Sequence, residues 1–328
     1  VVLHSVLVLT ILHCLVRRLN NLDDFSLDTV WNALTDTTSR IPILRNHLFV
    51  YDVIDSTNTE CKRRVEQAGF LRDKNGALTA DGERLNKSVV AAAEQTAGRG
   101  RLGRVFYSPS QTGIYFSIVY VPEHGVTDPA LFTVTAAVGV CRAIDALFKK
   151  KSQIKWVNDV YLDGKKVCGI LTEGVTSTQK QIDSLGSGKT GRTQSDFAAG
   201  PSESAVEAAI IGIGINILVN DEMPVELASK AGGILGVPSS VSRAQLLARV
   251  IIEVMHSLDT DENVIPEYRG RSVLIGKRLV VTPLIGDNTT SYEATALDIT
   301  SDAGLLVQLS DGSKKILHSG EVSLHDSV

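Results

Sequence analysis

The chain has 328 residues, with 33 Lys and Arg against 37 Asp and Glu, a net charge of −4, and 43% hydrophobic and 21% charged residues. That is the composition of a soluble globular protein with room for one large domain and a smaller one, and its acidic balance excludes a general nucleic-acid binder. Cys14, Cys61, Cys141 and Cys168 are far apart and the seven histidines are scattered, which excludes a disulfide frame and a zinc site and points to reduced thiols in a cytoplasmic protein.

Val1 to Val16 is strongly apolar and is followed by Arg17-Arg18. Three readings stand: a signal or anchor that would send the chain to an organelle, the tail of an upstream region, or a buried helix. The run is shorter than the roughly 20 residues of a membrane span. It contains His4 and His13 and lacks a basic lead or a small-residue cleavage site, so a non-spanning segment is expected. Residues 1–45 read as helical and loop-like. Leu48 to Ile54 reads as a strand, and Ser56 or Thr57 can cap a helix from about Thr57. Residues 72–87, polar with Gly and Asn, read as a loop, and Ser88 to Ala93 as a buried strand. Gly113 to Val121 is a further strand. Asp128-Pro129 heads a central helix to about Phe148, with Lys149-Lys150-Lys151 at its C-terminal dipole.

Ile154 to Val157 reads as a short strand, and Tyr161 to Glu173 as a hairpin turning at Asp163-Gly164. Residues 174–205, rich in Ser, Thr, Gly and Gln, read as a flexible inserted loop. Gly188-Lys189-Thr190 inside it lacks the upstream glycine of a phosphate loop, since position 183 is Asp. Ile210 to Leu218 is a buried strand whose Gly212 and Gly214 imply close approach to the backbone. Ser242 and Gln245 form a capping box before a helix to about Leu258. From Ser272 onward, short alternating strands with Gly-Asp, Asp-Asn and Asp-Gly turns predict a small β-barrel. The domains are therefore an extension at 1–45, an α/β domain at 46–270 and a barrel at 271–328.

The segment richest in chemistry is Gly98-Arg99-Gly100-Arg101-Leu102-Gly103-Arg104, directly after Glu94-Gln95-Thr96-Ala97. Glycines allow tight turns and close approach, and arginine forks grip carboxylate and phosphate oxygens. Together they predict a mobile loop closing over an anionic, phosphorylated intermediate. The G-x-G-x-x-G spacing also matches dinucleotide binding, but Val105-Phe106-Tyr107-Ser108-Pro109 does not open a helix, and no acidic residue follows at the required distance.

Six motifs occur in order: Asp55-Ser56-Thr57-Asn58; Glu94 through Arg104; Lys155-Trp156-Val157-Asn158-Asp159; Cys168 to Glu173; Gly212-Ile213-Gly214-Ile215-Asn216; and Ser319-Gly320-Glu321-Val322-Ser323-Leu324. The chain thereby resembles the biotin protein ligases over about residues 47–325. The resemblance implies an α/β fold, a mixed-sheet biotin/lipoate ligase-like catalytic domain followed by a small SH3-like β-barrel. It implies ATP and biotin as substrates, with Mg²⁺, giving biotinyl-5′-AMP and pyrophosphate. Biotin then passes to a lysine of a biotin carboxyl carrier domain, with release of AMP. Lys155, Arg99 and Arg101 would be catalytic. Ser56, Thr57, Asn58, Gln95, Gly98, Arg99, Gly100, Arg101, Lys155 and Gly169 would bind biotin. Arg101, Arg104, Phe106, Lys155, Asn158, Gly214 and Asn216 would bind ATP. No resident metal ligands are expected, and no membrane partner. Residues 1–45 lack the pattern of a winged helix-turn-helix, so no nucleic-acid partner is expected.

The charges suit that chemistry, because a carboxylate must meet a polyanionic triphosphate. Val157 stands where the family usually has proline, and Phe106 where some members stack tryptophan on adenine. The alternatives are a lipoate or octanoate ligase and a catalytically silent biotin-binding module. Intact Arg99, Arg101 and Lys155 weigh against the silent module.

Overall fold

The computed structural model describes residues 25–38, 43–73, 75–122, 128–176, 206–219, 223–235, 240–283 and 290–324. The expectations for the apolar run at 1–16 and for Gly188-Lys189-Thr190 lie outside these residues. In chain order the elements are α1 (Leu27–Thr37), β1 (Leu48–Ile54), α2 (Thr57–Gln67), α3 (Ala80–Leu85), β2 (Ser88–Gln95), β3 (Gly113–Tyr120), α4 (Pro129–Phe148), β4 (Gln153–Lys155), β5 (Asp159–Leu162), β6 (Lys165–Thr176), β7 (Val206–Asn216), α5 (Val225–Ala228), α6 (Arg243–Asp259), α7 (Ile265–Arg271), β8 (Arg278–Thr282), β9 (Tyr292–Ile299), β10 (Leu305–Leu309), β11 (Lys314–Leu317) and β12 (Glu321–Leu324).

β1 to β7 form one mixed sheet in the order β1-β2-β3-β7-β6-β5-β4, in which β1 and β2 run parallel and every other pair antiparallel. β8 to β12 form a second, antiparallel sheet in the order β11-β10-β9-β8-β12. Strand alternation gives the large sheet two unlike faces. On one, Ile114, Phe116 and Ile118 of β3, Cys168 and Ile170 of β6, and Ile211 and Ile213 of β7 pack under the helices α1, α4 and α6. α4 is long and apolar enough to cross a membrane by length alone, but it packs against α6 and the sheet, and Thr133 to Cys141 is buried without a break. On the other face, α2 covers only one end, where Cys61 and Val65 meet Val90, Val119 and Ile210. Beyond α2 the same strands present Ser117, Gly212, Gly214 and Gly169, residues too small to fill the space above them. The sequence thus leaves a hollow on this face of the sheet.

Local signals set the helix ends. Ser56 caps α2 and Asp128 caps α4 with Pro129 at its first position; Ser242 and Gln245 make the reciprocal capping box of α6. The β5–β6 turn places Asp163 at φ 52° and Gly164 at φ 77°, the doubly left-handed geometry of a tight hairpin. Three expectations are corrected. Residues 80–85 are helical rather than loop, because Thr79 accepts from the amide of Gly82 and caps a short turn that the polar composition hid. The insert starts later than 174, because Gly174 and Val175 continue the pairing of β6 with β7. The strand at 154 ends at Lys155, and 156–158 turn into β5.

The two sheets meet at this turn. Trp156 Nε1 donates to Ala303 O at 2.8 Å, Val273 N to Ile154 O at 2.9 Å, and Arg269 Nη2 to Ile299 O at 2.7 Å.

Candidate active site

A cavity of about 730 Å³ opens over the glycine-rich face of the large sheet and reaches Thr282 and Gly320 to Ser323 of the second sheet. Its size is that of a small-molecule site. Of the residues singled out from sequence, Ser56, Thr57, Asn58, Gln95, Arg99, Gly100, Arg101, Arg104, Phe106, Lys155, Asn158, Gly169, Gly214 and Asn216 all line it. Gly98 does not. A Cβ there would strike Phe106 O and Ser108 Oγ, so its smallness serves the packing of the loop on itself.

The floor is made by close contact. Asn58 is buried at the N-terminal end of α2, and its side chain crosses Gly212 so closely that a Cβ there would overlap Asn58 Oδ1. Ser117 Oγ, fully buried, donates to that Oδ1 at 2.6 Å. Asn58 Nδ2 donates to Glu173 Oε2 at 2.8 Å and to Leu171 O at 3.3 Å. Three of its four hydrogen-bonding positions are used, which pins the amide in one orientation. Gln95 is equally committed: its Oε1 accepts from Thr57 N at 2.8 Å, and its Nε2 donates to Ser108 Oγ at 2.9 Å. The first amide of α2 is therefore taken by Gln95, and Ser56 Oγ caps Thr59 N. Capping is the role shown for Ser56, and Gln95 ties the helix start to the base of the loop. Two residues along β7 on the same face, a Cβ on Gly214 would overlap the Phe106 ring, and one on Gly169, its partner across the ladder, would press on that ring and on Lys166. Phe106 lies in a slot floored by two glycines, edge-on to Tyr115 with ring centroids 6.3 Å apart.

The Gly/Arg segment folds as a flap over this floor. Phe106 N donates to Gly98 O at 2.9 Å and Gly100 N to Arg104 O at 2.7 Å, and the tip turns through Leu102 at φ 59° and Gly103 at φ 72°. Each arginine reaches a different acceptor. Arg99 pairs with Glu173 at 3.1 Å, Arg101 Nη1 donates to Asn158 Oδ1 at 3.0 Å, and Arg104 pairs with Glu321 of the second sheet at 2.6 Å.

Lys155 has no ion-pair partner among the described residues; its Nζ stands 5.9 Å from the Tyr161 ring centroid. Burial holds its pKa below the ordinary lysine value, and the charge of Asp159 only partly opposes this. It is a cation waiting for an anion. Lys166, which the sequence reading did not single out, lines the same cavity with Nζ 2.6 Å from Asp159 Oδ1. Lys230 joins them, so three lysines and three arginines face one space. The signal for Lys166 was its place just past the hairpin turn, but only the β5–β6 pairing with its irregularity between Val160 and Tyr161 settles which face it takes. Glu321 and Glu173 were inside recognised motifs without a role. The lining carboxylates are Asp159, Glu226 and Glu321, two of them already paired with cations.

A cationic flap and lysines over a small-residue floor define a site for joining a carboxylate to a nucleotide. Consistent with this, residues 51–189 match the Biotin/lipoate A/B protein ligase family and residues 275–325 the Biotin protein ligase C terminal domain. The chain belongs to the biotin/lipoate A/B protein ligase family. Its second sheet sets it with the biotin protein ligases within that family. It is 28% identical over 291 residues to the bifunctional ligase/repressor BirA of Bacillus spizizenii, covering 86% of this chain and 75% of that protein. It is 25% identical over 267 residues to the biotin–[acetyl-CoA-carboxylase] ligase of Mycobacterium tuberculosis, covering 79% of this chain and 86% of that one. The fold matches the structure of a biotin protein ligase from Aquifex aeolicus in complex with biotin and ATP, with TM-score 0.60 and 21% identity over 85% of this chain and 99% of the other.

Proposed function

We propose that this chain is an ATP-dependent biotin protein ligase that forms biotinyl-5′-AMP and pyrophosphate, then transfers biotin to a lysine of a biotin carboxyl carrier domain and releases AMP. The observation that carries this is the convergence of Arg99, Arg101, Lys155 and Lys166 on one cavity whose floor is Asn58, Gly212 and Gly214. In the first half-reaction a carboxylate oxygen attacks the α-phosphorus and the bond to the β-phosphate bridging oxygen breaks. Two anions must be brought together, and the charge that grows on the departing pyrophosphate must be met. The half-buried Lys155, without an ion-pair partner among the described residues, suits the point where carboxylate and α-phosphate meet. Arg101 and Lys166 suit the phosphate oxygens, at the cost of releasing Asn158 and Asp159. In the second half-reaction the lysine nitrogen attacks the acyl carbon, the acyl–phosphate bond breaks, AMP leaves and the amine loses its proton.

Biotin is assigned to the end of the cavity floored by Ser56, Thr57, Asn58 and Gln95, and the adenine to the cavity side of Phe106, whose ring fills the slot of Gly169 and Gly214 and offers a face for stacking. Mg²⁺ would be held chiefly by triphosphate oxygens and water, as Mg²⁺ commonly is, with Asp159 the lining carboxylate beside the phosphate-facing lysine. It would supply charge neutralisation of the triphosphate. The division into 46–270 and 271–328, and a cytoplasmic site of action, belong to the same reading. Cys61, Cys141 and Cys168 are free, buried thiols, which suits a reducing compartment. ATP–pyrophosphate exchange with biotin, lipoate or octanoate tests the assignment. Exchange stimulated by biotin alone is expected, and exchange with lipoate instead would move the chain to the sister activity.

A further inference from the structure

One carboxylate, Glu173, joins the helix α2 to the flap and belongs to none of the roles above. Glu173 sits on the cavity side of β6, its side chain 16% exposed. Its Oε2 accepts from Asn58 Nδ2 at 2.8 Å and from Arg99 Nη1 at 3.1 Å, and its Oε1 lies 2.7 Å from Lys62 Nζ and 3.1 Å from Arg99 Nη2. Arg99 thus meets it with two nitrogens, the fork geometry that fixes direction as well as distance. Asn58 is a floor residue, Arg99 a flap residue, and Lys62 lies one turn along α2 from Asn58.

We infer that Glu173 is a positioning residue that seats the Gly/Arg flap on the acid-binding floor, holding Arg99 on one side and the Asn58 amide on the other. The inference rests on the ligase reading and adds to it. Two cations and one carboxylate leave the cluster one positive charge in excess, so Glu173 orients Arg99 without cancelling the attraction of the site for an anionic ligand. Glu173 is ionised at neutral pH. Burial opposes its charge, but hydrogen bonds from Lys62 and Asn58 and the positive charges of Lys62 and Arg99 outweigh burial and hold its pKa below the ordinary carboxylate range. Without the negative charge, Arg99 and Lys62 face each other unscreened, and the root of the flap loses its anchor. The mouth of the cavity then opens while the chemistry-bearing groups, Lys155 on β4 and Lys166 seven residues away at the start of β6, stay in place.

The test is adenylate retention. Biotinyl-AMP is formed on the wild type, Glu173→Gln, Arg99→Ala and the double variant, and its release is followed, with thermal melting as a check on folding. Release from Glu173→Gln should be about tenfold faster than from wild type, the scale of one lost charge-assisted hydrogen bond, with its pyrophosphate exchange kept within a few-fold. The double variant should release no faster than Arg99→Ala alone, because both changes break one link. Wild-type release from Glu173→Gln, or effects that add in full, would overturn the inference. If Glu173→Gln does not fold, Glu173→Asp serves in its place, since it keeps the charge and shortens the reach. Intermediate release supports the anchor, and wild-type release refutes it. If the wild type forms no adenylate with biotin, the ligase reading itself fails, and this inference with it.

Discussion

The floor and the flap of the cavity are built on opposite principles. The floor is steric: Gly212 exists in its position because Asn58 passes over it, and Gly214 because Phe106 does, and both ends of the Asn58 amide are held by hydrogen bonds. The flap is electrostatic: its three arginines are the ties that fasten it, to Glu173, Asn158 and Glu321 in turn, and the last of those ties is the most exposed. A floor of this kind selects a ligand by shape, and a change in it is felt as strain. A flap of this kind exchanges protein acceptors for ligand oxygens at little cost, and a change in it is felt as leakage. The same molecule therefore separates recognition from retention.

The comparison breaks most visibly at the charge between the two. Lys155→Ala should lower biotin-dependent pyrophosphate exchange by about 10²- to 10³-fold, the cost of removing one charge-stabilising donor from a preorganised site, with little change in melting temperature. Retained exchange would remove Lys155 from the mechanism. Its lowered pKa gives a second readout. In the empty protein burial favours the neutral form, whereas a bound carboxylate favours the charged one. Biotin affinity should fall as pH rises through a pKa below the ordinary lysine value, and the Lys155→Ala variant should lack that limb in calorimetric titrations.

Next in size is a change in the floor. Gly212→Ala places a methyl group into the Asn58 amide, an overpacking that costs about 1–3 kcal/mol. Both stability in urea unfolding and biotin affinity should drop together. A floor whose glycine mattered only for backbone freedom would lose stability alone. The helical layer behind the floor supplies a contrast in pH. Arg142 and Ser257 hold the Glu262 carboxyl down to about 2, against an ordinary value of 4.5. A lowered folded-state pKa gives stability that is present above 4.5 and lost as pH falls toward 2. Glu262→Gln should flatten the acid limb of stability in that window and leave pyrophosphate exchange at neutral pH unchanged.

The smallest effect on stability is expected at the tip of the flap. Arg104 is largely exposed and Glu321 partly so, and such pairs contribute little. Arg104→Ala should change unfolding free energy by less than about 0.5 kcal/mol. It should still speed adenylate release, with the difference narrowing at high salt.

The flap was legible in the sequence because its chemistry is local: three arginines and three glycines in seven residues carry their meaning without neighbours. The capped helices α2, α4 and α6 were legible for the same reason, from Ser56, Asp128-Pro129 and the Ser242–Gln245 pair. What escaped depends on register. Lys166 and Glu173 stand on one strand seven residues apart, and which of them face the cavity is decided by pairing with β5 and β7 and by an irregularity at Val160 and Tyr161. Ser117 gave no sign at all, since its meeting with Asn58 crosses 59 positions. The glycines of β7 were read correctly as places of close approach, but what approaches them, an amide and a ring of the same chain, needed the fold.

The division of labour between floor and flap is tested most directly by single-turnover release of biotinyl-AMP from wild type and Arg101→Gly. The account predicts that the variant still forms the adenylate and loses it to solvent faster than wild type. Unchanged release together with lost transfer to the acceptor lysine would contradict it, because Arg101 would then act in the chemistry of transfer rather than in holding the intermediate.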